Sequence, residues 1–195
     1  MIKPTLLASW KQSRFNTCGP ASLMTALHEL GKPGLSQHRE MEIWKHVRHP
    51  FSLGSLPAYM AVYAAKQGVT VSLLHKDIAP PAMKVHWKKP RRSLHQHLLR
   101  AYYLTTKQEG SRGLNVDCYQ DEKEILERMI ANPGLRVIYL IMDDDGYLHY
   151  VLAREKAGSI AIMDPYYGRN SLFDQPDFLM KLGRAMMGYA ILISH

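Results

Sequence analysis

Apolar residues recur at helical spacing over the first seventy residues and at strand spacing over the last third of the chain. The clearest helical run begins after Cys18 and stops at Gly31, because apolar positions three and four residues apart line one face of a helix. Its inward positions are Leu23, Met24, Leu27 and Leu30. Asn16 or Thr17 is placed to cap this helix with a side-chain oxygen.

Two more helices are predicted before the first strand. One begins near Ser36 and ends before Pro50, and the other covers about 55–67. Their predicted inward positions are Met41, Trp44 and Val47 in the first and Leu56, Met60 and Tyr63 in the second. A short strand follows at 70–74, and helices are predicted over 92–106 and 121–131.

The last third is typical of a sheet. Strands are predicted over 136–142, 147–154, 159–163 and 188–194, with turns at 143–146 and 156–158 and one helix over 174–187. Helices followed by an antiparallel sheet indicate an α+β fold. We expect one domain over 1–195, with a helical lobe over about 1–75, a connecting segment over about 76–118 and a sheet lobe over about 119–195.

Composition is that of a globular protein, with 46% hydrophobic and 22% charged residues. No apolar run is long enough to predict a membrane span, and the first twelve residues do not have the pattern of a signal peptide. Two cysteines in 195 residues predict no disulfide framework, which favours a cytoplasmic location.

The net charge of +8 arises in good part from one basic segment without acidic residues. Its members are Lys84, Lys88, Lys89, Arg91, Arg92 and Arg100. A solvated surface is the simplest interpretation, and an acidic partner is the alternative; nucleic acid is not expected.

Three residues have the chemistry of a nucleophilic site. Cys18 opens the first helix, where free N–H groups and the helix dipole favour a thiolate. His149 and Asp164 lie on strands predicted to pair as a hairpin through the 156–158 turn, which brings them to the same open end. The carboxylate can then orient the imidazole toward the thiol. Gln12, six residues before Cys18, is placed to form an oxyanion hole with the Cys18 N–H.

These motifs resemble the papain-like cysteine peptidase superfamily, and within it the bacteriocin-leader-processing peptidase branch and its stand-alone bacterial relatives. The resemblance rests on Gln12, the block Asn16 to Ser22, the His149-Tyr150-Val151 strand and the Asp164-Pro165 turn. It implies a papain-like α+β fold, with Cys18 as nucleophile, His149 as general acid and base, Asp164 as its orienter and Gln12 as oxyanion donor. It implies no metal or organic cofactor.

Two features depart from the leader peptidases. Thr17 stands where that branch usually has an aspartate, and nothing here corresponds to the membrane transporter to which those peptidases are often fused. The predicted function is therefore hydrolysis of a peptide or isopeptide bond in a peptide or protein substrate. An acyltransferase or transglutaminase-like enzyme with the same triad, or a non-catalytic module that binds an anionic partner, remains open.

Other candidate groups are interpreted as structural. Cys118 lacks a helix terminus or nearby histidine in the sequence and is predicted to be inert. His46 and His49 have helical spacing but no third ligand, so a solvated helix face is preferred over a metal site. The acidic run at 143–146 lacks the alternating spacing of a calcium loop and is predicted to be a hairpin turn.

Overall fold

The computed structural model describes residues 7–48, 54–76, 113–143 and 145–195. Its helices are α1 (Cys18–Glu29), α2 (Gln37–Val47), α3 (Pro57–Lys66), α4 (Glu122–Ala131) and α5 (Gln175–Ala185). Its strands are β1 (Thr70–His75), β2 (Leu114–Cys118), β3 (Arg136–Met142), β4 (Leu148–Lys156), β5 (Ser159–Asp164), β6 (Arg169–Phe173) and β7 (Met186–Ser194). Within these ranges no helix has the length and apolarity needed to cross a bilayer.

The seven described strands form one sheet in the order β2-β1-β7-β3-β4-β5-β6. Every neighbouring pair is antiparallel except β1 and β2, which run parallel. The sheet is therefore mixed, and it also contains β1 from the predicted helical lobe. The α+β class is confirmed, and the strands of the predicted sheet lobe, β3 to β7, pair antiparallel throughout. The parallel pair of β1 and β2 at the edge of the sheet was not predicted.

Helices cover both faces of the sheet. On one face, α1, α2 and α3 enclose a core with alternate residues of β1, β3, β4 and β7. On the other face, α4 and α5 pack on the intervening residues of the same strands. Side chains of a strand point alternately to its two faces, so the central strands are apolar on both sides. This double burial explains the nearly continuous apolar runs of β3 and β7 in the sequence.

Most predicted elements are confirmed within a few residues. The predicted inward positions of α1 and α3 are buried. The turns at both ends of β4 are also confirmed, and the two-residue turn between β4 and β5 uses Ala157 and Gly158 at positive φ, as the twist of a hairpin requires. The predicted helix over 92–106, the basic segment from Lys84 to Arg100 and His49 lie outside the described residues.

The inward face of α2 differs from the predicted one. The structure buries Glu40, Ile43 and Val47, whereas Met41 and Trp44 are only partly buried. The buried carboxyl group of Glu40 accepts three hydrogen bonds from two donors inside the protein, the Trp10 indole N–H and the Ser13 backbone N–H. A buried acidic group with its partners supplied costs far less than an unpaired one.

Candidate active site

Cys18 is the first residue of α1 and is partly exposed. Thr17 occupies the N-cap position, but its hydroxyl does not cap the helix as predicted. It donates to the Arg14 carbonyl at 2.9 Å and accepts from the Arg14 N–H at 3.2 Å. Within the described residues, the N–H groups of Cys18 and Gly19 are consequently left without a protein partner. An uncapped helix terminus of this kind favours negative charge beside it.

Gly19 allows α1 to lie close to the loop before α3. A Cβ at this position would come within 3.0 Å of the Met60 sulfur and 3.1 Å of the Ser55 Cβ. The glycine that follows the cysteine is therefore required by packing.

His149 and Asp164 meet at the open end of the β4–β5 hairpin, as predicted. The two strands are paired from Lys156 and Ser159 as far as Leu152 and Met163, and they separate beyond that point. There the Nε2 atom of His149 lies 2.8 Å from the Oδ1 atom of Asp164. This contact leaves Nδ1 as the imidazole nitrogen available to the thiol.

The pKa of His149 is raised from 6.5 to about 9. Burial of the ring acts in the opposite direction and is the largest single influence, but it is outweighed by several favourable contacts together. These are hydrogen bonds to Asp164 and to the Cys18 thiol and the negative charges of both groups. The surroundings of the imidazole therefore favour its protonated form at neutral pH.

One buried hydrogen bond fixes α1 against β4 beside the site. The Ser22 hydroxyl donates to the Tyr150 carbonyl at 3.3 Å, and both residues are buried. Ser22 lies one helical turn after Cys18, and Tyr150 directly follows His149. The Tyr150 hydroxyl in turn donates to the Ser55 carbonyl at 2.9 Å. These contacts join the helix that carries the thiol to the strand that carries the imidazole.

Gln12 lies beside the loop that precedes Cys18, but its amide is engaged. Its Nε2 atom donates to the carbonyls of Arg14 and Phe15 at 2.8 and 2.9 Å. Its Oε1 atom is buried without a hydrogen-bond partner. Both amide hydrogens thus stabilise the loop, and the predicted oxyanion role requires one of these bonds to be exchanged for a bond to substrate.

Three groups of the kinds used in acyl transfer through sulfur occur here: a partly exposed thiol at an open helix terminus, an imidazole whose pKa that thiol helps to raise, and a carboxylate hydrogen-bonded to the imidazole. No group of three or more His, Cys, Asp or Glu side chains that would suit a metal ion is found in the described ranges.

A family model and a solved structure resemble this chain. A family model described as "Peptidase_C39 like family" matches residues 8–177, which include all four predicted site residues. The chain belongs to this Peptidase_C39 like family. No curated protein matches the chain. Among solved structures, the chain is similar to the Pseudomonas avirulence protein AvrPphB, at 10% sequence identity and a TM-score of 0.36, over 96% of each chain. A likeness this low carries no functional argument.

In this Peptidase_C39-like chain, Gln12 lies in an extended segment, the strap (residues 7–13). Hydrogen bonds hold the strap to both α1 and α2. Glu40 of α2 holds it through the Trp10 indole at 2.7 Å and the Ser13 N–H at 2.9 Å. Glu29 of α1 accepts from the Ala8 N–H at 2.6 Å. Neither glutamate is identifiable from the sequence as a site residue, because each acts through a partner more than twenty positions away.

The strap also crosses the turn that carries Asp164. The Gln12 N–H donates to the Pro165 carbonyl at 2.7 Å, and the Ser9 hydroxyl donates to the Gly168 carbonyl. Asp164 is itself held by the Tyr166 N–H, which donates to Oδ1 at 2.8 Å. The loop before the nucleophile and the turn that orients the histidine are thus joined directly.

Proposed function

We propose that this Peptidase_C39-like chain is a thiol hydrolase that cleaves a peptide or isopeptide bond through an acyl-enzyme on Cys18. The observation that carries the proposal is the His149 imidazole, which lies 2.8 Å from the Asp164 carboxylate and whose pKa is raised in part by the Cys18 thiol. The raised pKa supports a protonated imidazole at neutral pH, which is the form that pairs with a thiolate in such a dyad.

In the first half of the reaction, the Cys18 sulfur attacks the substrate carbonyl carbon and forms a C–S bond. The oxyanion accepts a hydrogen bond from the free Cys18 N–H, and the Gln12 amide supplies a second donor once it exchanges a loop contact. Collapse of this intermediate breaks the C–N bond. His149 transfers its proton from Nδ1 to the departing amine.

In the second half, water attacks the thioester. His149 takes a proton from the water, and the thiol is released together with a carboxylic acid. Asp164 accepts the hydrogen bond from Nε2–H and so orients the imidazole in both halves of the reaction. An amine in place of water would give acyl transfer by the same steps.

The test is trapping of the acyl-enzyme. The Cys118→Ser protein is incubated with a library of peptide esters and amides and examined by intact-protein mass spectrometry, with and without an added primary amine. We expect a thioester adduct at Cys18 that decays to free acid. The adduct should be missing in Cys18→Ala.

Release of amide product only when the amine is present would favour the acyltransferase instead. Absence of any adduct and of turnover across the library would contradict the proposal and favour a non-catalytic module.

A further inference from the structure

Exposed aromatic rings are concentrated around the proposed site. Seven large hydrophobic side chains are exposed among the described residues, and four of them lie within three positions of a triad residue. These four form the aromatic rim: Phe15 (73% exposed), Tyr147 (60%), Tyr166 (48%) and Tyr167 (61%). Exposed apolar patches of this kind on a globular protein mark interaction sites.

The rim consists of two ring pairs. Phe15 and Tyr147 meet edge to face at 6.1 Å, and they join the loop before the nucleophile to the turn before β4. Tyr166 and Tyr167 meet edge to face at 5.0 Å. Tyr166 also lies edge to face with His149 at 6.5 Å. Tyr166 of the second pair thus contacts the proposed catalytic imidazole. In the first pair, Phe15 lies three positions before Cys18 and Tyr147 lies two positions before His149.

The observations favour a substrate over a second copy of the chain as the occupant of this surface. Copies that each carry a net charge of +8 repel one another. Tyr166 also lies against the His149 ring, so a ligand that covers the rim at Tyr166 lies beside the proposed catalytic imidazole. Rings that are largely exposed in the free protein gain most from being covered by another apolar group.

We propose that the aromatic rim is the specificity surface of the site and receives aromatic or bulky apolar side chains of a peptide within a few residues of the scissile bond. This proposal rests on the proposed thiol hydrolase function. Offset and edge-to-face ring contacts give such a surface a preference for aromatic side chains over small ones.

The experiment compares fluorogenic hexapeptides that carry Phe or Ala at each position in turn. The wild-type protein is compared with Phe15→Ala, Tyr147→Ala, Tyr166→Ala and Tyr167→Ala. Two control variants, Ile130→Ala and Met180→Ala, remove exposed apolar side chains from α4 and α5, which pack on the sheet face opposite α1. Phe15→Leu serves as a second rim variant that keeps an apolar side chain.

At one or more positions we expect wild type to prefer Phe over Ala by about tenfold or more in kcat/KM. Rim variants should bring this ratio toward one, mainly through KM, whereas the control variants should leave it unchanged. A ratio near one in wild type, or a ratio that the rim variants do not alter, would overturn the proposal. So would a concentration-dependent dimer that Phe15→Ala abolishes.

Binding of the same peptides to Cys18→Ala, measured by fluorescence anisotropy, separates this proposal from the function on which it rests. Cleavage without a preference for aromatic side chains overturns the proposed specificity role of the rim but leaves the hydrolase function in place. Aromatic peptides that bind Cys18→Ala through the rim but are never cut by wild type overturn the hydrolase and retain the rim. Absence of both cleavage and binding overturns both.

Discussion

His149 sets the protonation state of the site. Its ring is buried, which alone would favour the neutral form, yet the thiol and the Asp164 carboxylate raise its pKa to about 9. The charged form is thus sustained by two specific partners rather than by solvent. Each partner can be removed separately, and the effect on the pH dependence has a definite sign.

Activity should fall as the pH rises through about 9, because the imidazolium that protonates the leaving amine is then lost. Asp164→Ala removes a hydrogen bond and a charge that raise the pKa of His149, so the alkaline limb should move to lower pH, with a lower maximal rate. The pH profile of kcat/KM measures both. Asp177→Ala, which removes an exposed carboxylate from α5, should leave the limb in place.

The same proton contributes to folding stability. Because the pKa of His149 is above its unfolded value of 6.5, its stabilising contribution is fully present below that pH and is lost as the pH rises through about 9.

For the activity prediction, an alkaline limb of the kcat/KM profile that Asp164→Ala does not move would show that the carboxylate does not act on His149.

Gln12 allows two roles to be told apart. If its amide reaches the oxyanion, Gln12→Ala should lower kcat about 10²- to 10³-fold with little change in KM. If it only braces the loop through Arg14 and Phe15, the variant should raise KM with little change in kcat. The melting temperature should fall in either case, because both loop bonds are lost, so the division of the effect between kcat and KM in steady-state kinetics separates the two outcomes. We expect the first pattern, and the second would remove Gln12 from the catalytic groups.

At the residue scale, the sequence predicted where the candidate groups lie but not their surroundings. The position of Cys18 at a helix start and the meeting of His149 with Asp164 could be predicted because a helix start and a hairpin end are local features. The bonds of Gln12 could not, since they depend on how residues 14 and 15 turn. Glu40 was hidden for another reason: a buried acid on a polar-looking helix is visible only once its donors, Trp10 and Ser13, are seen beside it.

At the scale of elements, the strap and the β5–β6 turn form one unit. Gly168 lies in that turn at φ +64, and a Cβ there would approach the Lys11 Cβ to 2.7 Å and the Lys11 backbone to 3.0 Å. The glycine thus serves both a left-handed conformation and a close backbone approach. Any side chain at this position must push the strap away from Asp164.

Gly168→Ala should therefore destabilise the protein more than a matched glycine substitution. Gly158→Ala has a similar positive φ of +85 but nothing within 4 Å of its Cβ, so it should cost only the conformational strain of about 1–2 kcal/mol. Gly168→Ala should exceed that cost and also lower kcat/KM. Urea unfolding and kinetics of both variants provide the measurement. Equal destabilisation by Gly168→Ala and Gly158→Ala would mean that the strap can move away from residue 168 at little cost in free energy.

The elements that the sequence missed are the two edge strands. β2 carries Asn115 and Asp117 among its five residues, and β6 is largely polar except at its end. An edge strand is paired on one side only and is half solvated, so β6 shows little apolar patterning. β2 does alternate between apolar and polar residues, but over five residues only. β2 also pairs in parallel with β1, which is distant in the sequence, so no turn between the two strands indicates the pairing.

At the scale of the whole molecule, the sheet carries helices on both faces, and the candidate site lies where α1 begins and the β4–β5 hairpin opens. The order of helices and strands predicted the class. It did not predict that β1 and β2 would join the later strands, because that pairing closes long stretches of chain. The roles of the basic segment from Lys84 to Arg100 and of an acidic partner stay predictions.

The central claim is that Cys18 and His149 act as a reactive pair, and the alkylation rate of Cys18 as a function of pH tests it most directly. Iodoacetamide is used on the Cys118→Ser protein with and without His149→Ala. We expect rapid alkylation at pH values where an ordinary thiol, with a pKa of about 8.5, is protonated, and loss of this reactivity without His149. A slow thiol that titrates like a free cysteine in both proteins would contradict the account.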